Sequence, residues 1–191
     1  MSCKKEKTRE FILDKTYALF AEKGFRSITM KDICVVTGLS RGGLYSHFSS
    51  TREVFEAILQ KLNQKEELDF YKEMEQGKAA VSILHRAFEL MEEEMKHPED
   101  SLSLAMYEYA EVTKDEILQS YNETGEEKWK ALITYGIAKG EFNKVDVEGI
   151  VNIILYVYQG VRMWSRIVKI PPETMESIIQ FIKETLIREE I

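Results

Sequence analysis

The sequence predicts an all-α protein of about nine helices, on three observations. Apolar residues recur three and four positions apart over most of the chain, whereas strands would show strict alternation. Only three of the 191 residues are proline, and charged residues make up 31% of the chain. Hydrophobic residues make up 44%, which is enough for the core of one large or two small helical domains.

The first two predicted helices are marked by their ends. Apolar spacing runs from Thr8 to Glu22, and Gly24 follows as a C-terminal cap. The second helix runs from about Thr29 to Val36. Its Thr-x-x-Asp start, with Asp32 three residues after the threonine, suits the unpaired amides and the positive end of a helix.

The next two helices begin at serines. Ser40 is the N-cap of a short helix that ends near Phe48. Ser50 and Glu53 form a second capping box, and the apolar spacing after them predicts one long helix to about Glu75. Two short helices joined by a glycine-containing turn, with a helix on either side, are typical of a helix-turn-helix unit.

The charge distribution favours a phosphate-bearing partner for the N-terminal part. Residues 1–60 carry ten Lys or Arg and seven Asp or Glu, although the whole chain has a net charge of −7. No acid lies between Leu39 and Thr51, and the donors of this segment are Ser40, Arg41, Tyr45, Ser46, His47, Ser49, Ser50 and Thr51. An acid-free, donor-rich surface of this kind suits nucleic acid.

The stretch TMKDICVVTGLSRGGLYSHFSSTREVF, led by LFAEKGFRSITM, resembles the DNA-binding signature of the tetracycline-repressor (TetR) family of bacterial transcription regulators. The resemblance covers about residues 8–58. It implies a DNA-binding domain at 1–58 and a helical effector-binding and dimerisation domain at 59–191. The function it implies is a dimeric regulator, usually a repressor, which a small, largely apolar effector releases from a palindromic operator.

The resemblance also assigns DNA-facing positions. It places Tyr45 and His47 on phosphate and the start of the third helix nearest the base edges. In relatives, a Lys directly after the cap of the fourth helix usually contacts phosphate. This chain has Thr51 there and then Arg52, and whether Arg52 replaces the lysine is an open question. The candidate DNA-binding residues are Thr29, Ser40, Arg41, Gly42, Gly43, Tyr45, Ser46, His47, Thr51 and Arg52.

Two glycines within a short helix need a reason, because each costs about 1 kcal/mol relative to alanine in a helix interior. Without side chains, Gly42 and Gly43 let the helix backbone approach the major groove. For Gly43, close packing against another helix is a sufficient alternative. Tyr45 either donates to phosphate or fills the core, whereas Leu44 and Phe48 are expected in the core.

Further helices are predicted beyond residue 77, separated by glycine and proline. Their expected bounds are Lys78–Lys96, Pro98–Val112, Lys114–Lys139, Val145–Lys169 and Pro172–Glu190. The last two helices carry more apolar residues than one face holds, which predicts a C2 homodimer through a four-helix bundle. The expected interface residues are Ile154, Tyr158, Val161, Ile178 and Ile182.

The middle helices are rich in aromatic and thioether side chains, which suit an adaptable apolar pocket as well as plain core. The candidate effector-binding residues are Met91, Met95, Met106, Tyr107, Trp129, Tyr156, Gln159, Met163 and Trp164. Asn152 and Arg162 are candidates to orient a ligand, or are satisfied at the dimer interface. Glu108 and Glu111 either face a cationic effector or form a solvated surface.

Other classes of protein have little support. No nucleophile motif, metal-ligand spacing or phosphate loop accompanies the three histidines, so neither an enzyme nor a cofactor is expected. Cys3 and Cys34 are read as reduced thiols. The longest apolar run, Ile153–Tyr158, is too short for a membrane span, and no export signal is present, so a cytoplasmic protein is expected. A helical adaptor without DNA binding is the alternative.

Overall fold

The computed structural model describes residues 2–64, 68–113 and 117–188. Ten α-helices lie within these residues, together with a 3₁₀ turn at Pro98–Asp100. The helices are α1 (Ser2–Lys23), α2 (Met30–Thr37), α3 (Arg41–Tyr45), α4 (Thr51–Gln64), α5 (Phe70–Glu75), α6 (Ala80–Lys96), α7 (Ser103–Val112), α8 (Ile117–Lys139), α9 (Val147–Trp164) and α10 (Pro172–Leu186). The predicted all-α class is confirmed.

The prediction of one helix from Ser50 to Glu75 is wrong. Asp69 has an extended backbone, and its carboxylate accepts from the Lys72 amide at 3.1 Å, so it caps a separate helix α5. This break raises the helix count from the nine expected to ten among the described residues. The expected start at Lys114 and the expected end at Glu190 lie outside the described residues.

The chain divides into two compact units, and the first consists of Met1–Lys65 and Glu99–Gln119. Its core joins the helix-turn-helix to α7, because Leu102, Ala105 and Tyr109 are buried in the same cluster as the side chains of α1 to α4. Tyr109 is fully buried and lies 5.1 to 5.3 Å, between ring centroids, from Phe25 and Phe55. The functional boundary expected after residue 58 stays a prediction.

The second unit consists of Glu66–Pro98 and Ser120–Ile191, and its core is built by α5, α6, α8, α9 and α10. Trp129 packs edge-on against Phe70, at 5.1 Å between ring centroids, and stacks with Phe88 at 5.7 Å. The chain turns after α8 so that Phe142 lies on Gly136, where a Cβ atom would be 2.1 Å from the phenyl ring. Glycine is therefore required at that position.

The described residues hold little extended structure. The pairing between Phe142 and Ile187 is an isolated antiparallel bridge. In residues 2–64, 68–113 and 117–188, no helix has both the length and the apolar character needed to cross a membrane.

Candidate nucleic-acid interface

The start of α2 is held by the capping box that the sequence predicts. The Thr29 hydroxyl oxygen accepts from the Asp32 amide at 3.3 Å. The Asp32 carboxylate accepts in turn from the Thr29 hydroxyl at 2.6 Å and from its amide at 2.9 Å. These bonds hold the pKa of Asp32 below its ordinary value of 3.8, and the bond from the hydroxyl contributes most. Thr29 is exposed at this end of the helix.

The short helix α3 is held at both ends by serine side chains. The Ser40 hydroxyl oxygen accepts from the Gly43 amide at 3.1 Å, and the Ser46 hydroxyl donates to the Gly43 carbonyl at 2.7 Å. Leu44 is fully buried, as predicted, so the helix turns its other side outward. The outward side chains are those of Arg41, Tyr45 and Ser46, and the tyrosine is 44% exposed.

The two glycines of α3 differ in their surroundings. A Cβ atom on Gly42 would meet nothing within 4 Å. A Cβ atom on Gly43 would lie 3.2 Å from the Ser40 hydroxyl oxygen, which belongs to the N-cap of the same helix. In the described part of the chain, therefore, packing does not require glycine at position 42, and the nearest group to position 43 is its own cap and not another helix.

Arg9 holds the residues that follow α3, a role that its place in the sequence did not predict. Its Nη1 atom donates to the His47 carbonyl at 2.8 Å, and its guanidinium carbon lies 4.0 Å from the centre of the Phe48 ring. Phe48 is buried, as predicted. The available signal was a basic residue one helical turn before the first core residue, Ile12, but such a residue is common on an exposed helix face.

The N-terminus of α4 is capped by two consecutive serines. The Ser50 hydroxyl oxygen accepts from the Glu53 amide at 3.1 Å, as the predicted capping box requires. The Glu53 carboxylate, however, accepts from the Ser49 amide at 2.7 Å and its hydroxyl at 2.8 Å, one residue earlier than predicted. These two bonds, with Arg9 nearby, hold the pKa of Glu53 below its ordinary value of 4.5.

The two residues that follow this cap have different surroundings. Thr51 is the first residue of α4 and is half-buried. Arg52 donates from Nε to the Glu56 carboxylate at 2.5 Å, and the same carboxylate oxygen accepts from the Tyr109 hydroxyl at 2.7 Å. The Arg52 side chain is therefore already linked to α7 through Glu56.

Nδ1 of His47 is buried and has no hydrogen-bond partner among the described residues.

Glu108 and Glu111 both accept hydrogen bonds from Arg26, in the loop before α2. The Glu108 carboxylate accepts from the Arg26 amide at 2.9 Å, and the Glu111 carboxylate accepts from the Arg26 guanidinium at 2.7 Å. The reading of these acids as a purely solvated surface is therefore incomplete, because both fasten α7 to the helix-turn-helix.

The structure does not gather the predicted effector residues into one place. Met91 and Met95 line an apolar cavity of about 10 Å³ within the second unit. The other lining residues are Phe88, Ile154, Val157, Tyr158, Met175, Ile178, Ile179 and Ile182. Trp129 is buried beside Phe88 in the same core.

The remaining candidates lie elsewhere. Tyr156 and Trp164 are exposed, at 64% and 56%, while Gln159 and Met163 are half-buried on the same helix. Both of the others belong to the first unit: Met106 packs against the helix-turn-helix core, and the exposed Tyr107 donates to Glu111 at 3.0 Å.

The residues expected at a dimer interface are largely internal. Ile154, Val161 and Ile182 are buried in the core of the second unit, and Tyr158 and Ile178 are half-buried beside its cavity. The exposed apolar side chains of the same helices are others, namely Ile153, Tyr156, Trp164 and Phe181.

Known proteins are similar to this chain in sequence and in fold. A family model described as "Bacterial regulatory proteins, tetR family" matches residues 12–58. The uncharacterized HTH-type transcriptional regulator YfiR of Bacillus subtilis (strain 168) is 31% identical over 146 residues, which are 74% of this chain and 71% of YfiR. The chain belongs to the TetR family. It is a DNA-binding transcriptional regulator with a helix-turn-helix, and not an enzyme.

A more distant relative and a solved structure are also similar to this chain. The HTH-type transcriptional repressor KstR2 of Rhodococcus jostii (strain RHA1) is 26% identical over 157 residues, covering 73% of this chain and 71% of KstR2. The crystal structure of a TetR-family transcriptional regulator from Agrobacterium tumefaciens matches with a TM-score of 0.81 at 15% identity, covering 96% of this chain and all of that one. That structure shares the fold of this TetR-family chain.

Proposed function

We propose that a homodimer of this chain represses transcription from a palindromic operator, and that a small, largely apolar effector releases it from the DNA. The observation that carries the DNA half of this proposal is the outward side of α3, where Gly42 has open space above it and Arg41 and Tyr45 are exposed. No carboxylate lies in the sequence from Leu39 to Thr51. Such a helix suits close approach to the major groove.

Each part of the interface has a role in this proposal. Arg41 reads a base edge, because its guanidinium presents paired donors at the first turn of α3. Tyr45, Ser46 and His47 donate to phosphates and fix the register of the helix in the groove. Thr29 and Thr51 mark the N-termini of α2 and α4, whose amides face phosphate. Arg52, whose side chain is bonded to Glu56, adds positive charge there.

The test is an anisotropy titration of DNA from the region upstream of the protein's own gene, at several salt concentrations. Arg41→Ala is expected to weaken binding about tenfold or more and to relax specificity at the base pair that Arg41 contacts. Tyr45→Phe removes one phosphate donor and weakens binding by a smaller factor. Arg86→Ala, which removes an exposed charge outside the interface, is the control and leaves affinity within about twofold. Affinity that ignores salt and both interface variants would contradict the proposal.

The dimer is proposed through the outer face of α9. Ile153, Tyr156, Gly160 and Trp164 follow one another at helical spacing on that face, and three of them are exposed apolar side chains. Gly160 has nothing within 4 Å of a Cβ position, so a second helix has room to approach closely there. An exposed apolar stripe with a glycine at its centre suits a self-complementary interface.

The effector is proposed to enter the core between α6, α9 and α10. The cavity there, about 10 Å³, holds at most one water molecule, so a ligand must separate these helices. A ligand that favours the separated arrangement shifts the population toward it, and a coupling of about 1 to 3 kcal/mol changes DNA affinity roughly 5- to 150-fold.

The lever between effector and DNA is proposed to be α7 and not the long helix expected from Ser50. Arg26 and Glu56 of the helix-turn-helix are bonded to α7 through Glu111 and Tyr109. The chain enters α7 from α6 through Pro98, whose carbonyl accepts from Arg166 at 3.3 Å. A change in the last turns of α6 or α9 is thereby passed to α7 along the chain.

A repressor of this kind acts in the cytoplasm, where bacterial DNA lies.

A further inference from the structure

Arg162 is a largely covered cation whose bonding capacity is only partly used. Its side chain is 15% exposed, and its guanidinium carbon lies 4.7 Å from the centre of the Tyr158 ring. Its ion pair is with Glu94, whose carboxylate lies 3.7 Å from Nη1, longer than a hydrogen bond. Nε is buried and has no hydrogen-bond partner among the described residues. A buried guanidinium with an unpaired N–H is unfavourable and rare.

One side chain in contact with this guanidinium lines the apolar cavity. Tyr158, the ring that Arg162 covers, is one of the cavity's lining residues and lies one turn earlier on α9. On α6, Met91 and Met95 line the same cavity, and Glu94 precedes the second of them. An apolar space and an incompletely paired cation are thus joined through one tyrosine.

We propose that the effector is an amphipathic organic anion, a carboxylate on an apolar chain or ring, and that Arg162 binds its carboxylate while the apolar part enters between α6, α9 and α10. This inference rests on the proposed effector site and adds the chemical class of the ligand. A carboxylate accepts two parallel N–H bonds from guanidinium, including the one from Nε that is unused here.

The carboxylate of Glu94 lies on the side of Arg162 where the ligand's carboxylate is proposed to bind. Its carboxylate accepts from the Tyr158 hydroxyl, so it is oriented toward the tyrosine and stays 3.7 Å from the guanidinium. The neighbouring acids of α6 face other side chains, because Glu92 pairs with Lys96 at 2.9 Å and Glu93 lies 3.6 Å from His97. A cationic ligand would add a second positive charge near Arg162, whereas an anion completes its hydrogen bonding.

The test is calorimetric titration of the full chain with linear fatty acids from hexanoate to myristate, with the primary alcohols of the same lengths, and with decylamine. At least one acid is expected to bind about tenfold more tightly than its alcohol. Arg162→Met should reduce that ratio to about one while leaving alcohol binding within about threefold. Arg86→Met, an equal loss of charge at an exposed position of α6, should leave the ratio unchanged.

A second variant keeps the test decisive where Arg162→Met does not fold, as circular dichroism would reveal. Glu94→Gln removes the internal competitor, so acids should bind about threefold more tightly, and alcohols unchanged. The proposal is overturned where no acid binds, where an alcohol or decylamine binds as tightly as the acids, or where both variants keep the wild-type ratio. DNA binding is measured separately without acid, so a chain that discriminates acids and binds no DNA contradicts the proposed function alone.

Discussion

Gly42 lowers the intrinsic stability of α3 although no neighbour within the described chain requires it. Gly42→Ala should therefore raise the free energy of unfolding by up to about 1 kcal/mol, because alanine is the better helix former and restricts the unfolded chain. The same methyl group faces the proposed groove contact, so affinity for DNA should fall. Urea denaturation and anisotropy titration measure the two effects separately.

Gly43→Ala is the matched comparison, since its Cβ atom would lie 3.2 Å from the capping hydroxyl of Ser40. It should gain less stability than Gly42→Ala because the cap must shift. Unchanged DNA affinity in the Gly42 variant, alongside the expected gain in stability, would mean that the glycine is merely tolerated at this position.

Glu53 makes the start of α4 sensitive to acid. Its pKa is lowered in the folded protein, first by the Ser49 amide and hydroxyl and then by Arg9, so the ionised form stabilises the fold above the ordinary value of 4.5. That contribution is lost as the pH falls through the lower, folded pKa. In Glu53→Gln the unfolding free energy should therefore fall less steeply below pH 4.5 than in the wild type. Glu89→Gln, at an exposed pair, serves as control, and equal slopes in all three proteins would refute this assignment.

At the scale of elements, the capping residues in the sequence predicted the helix starts well. They did not predict which helices pack against one another. Thr29, Ser40 and Ser50 cap helices as expected, because each acceptor acts on amides within three residues of it. The start at Asp69 was missed because apolar spacing continues past it, and an acid in a charged stretch is a weak signal.

The membership of α7 in the first unit was not predictable in the same way. It depends on Tyr109 meeting Phe25 and Phe55, which lie far away in sequence, and on acids that look like an ordinary solvated face. The candidate DNA-facing residues followed from a local signature. The cavity residues did not, because burial of a methionine or an aromatic side chain is decided by contacts between distant helices.

The attachment of α7 to the helix-turn-helix gives a paired prediction on one helix. Tyr109→Phe removes a buried hydroxyl that donates to Glu56 at 2.7 Å, and should lower the free energy of unfolding by about 1 to 2 kcal/mol. Tyr107→Phe removes an exposed hydroxyl that also donates to a glutamate, and should lower it measurably less. Urea denaturation at neutral pH compares the two. Equal losses would mean that the buried bond does not fasten α7.

In the proposed dimer, two helix-turn-helix units contact the operator together and jointly set its affinity. A palindrome presents successive major grooves about 34 Å apart, so the second head of a dimer binds at high effective concentration. Tyr156 is 64% exposed at the centre of the stripe on α9. Tyr156→Glu places a carboxylate there in both copies, and charge repulsion with desolvation should separate them.

The separated protein should bind the palindrome at least about 100-fold more weakly, while its affinity for a single half-site stays within about twofold of the wild type. The salt slope should fall to roughly half, because half as many phosphates are contacted. Tyr156→Phe keeps the apolar ring and should remain a dimer with full affinity. Sedimentation velocity gives the assembly state and anisotropy gives the affinities. A monomeric Tyr156→Glu protein that kept wild-type affinity and slope would show that one head is sufficient, and the dimer would then have no role in recognising the operator.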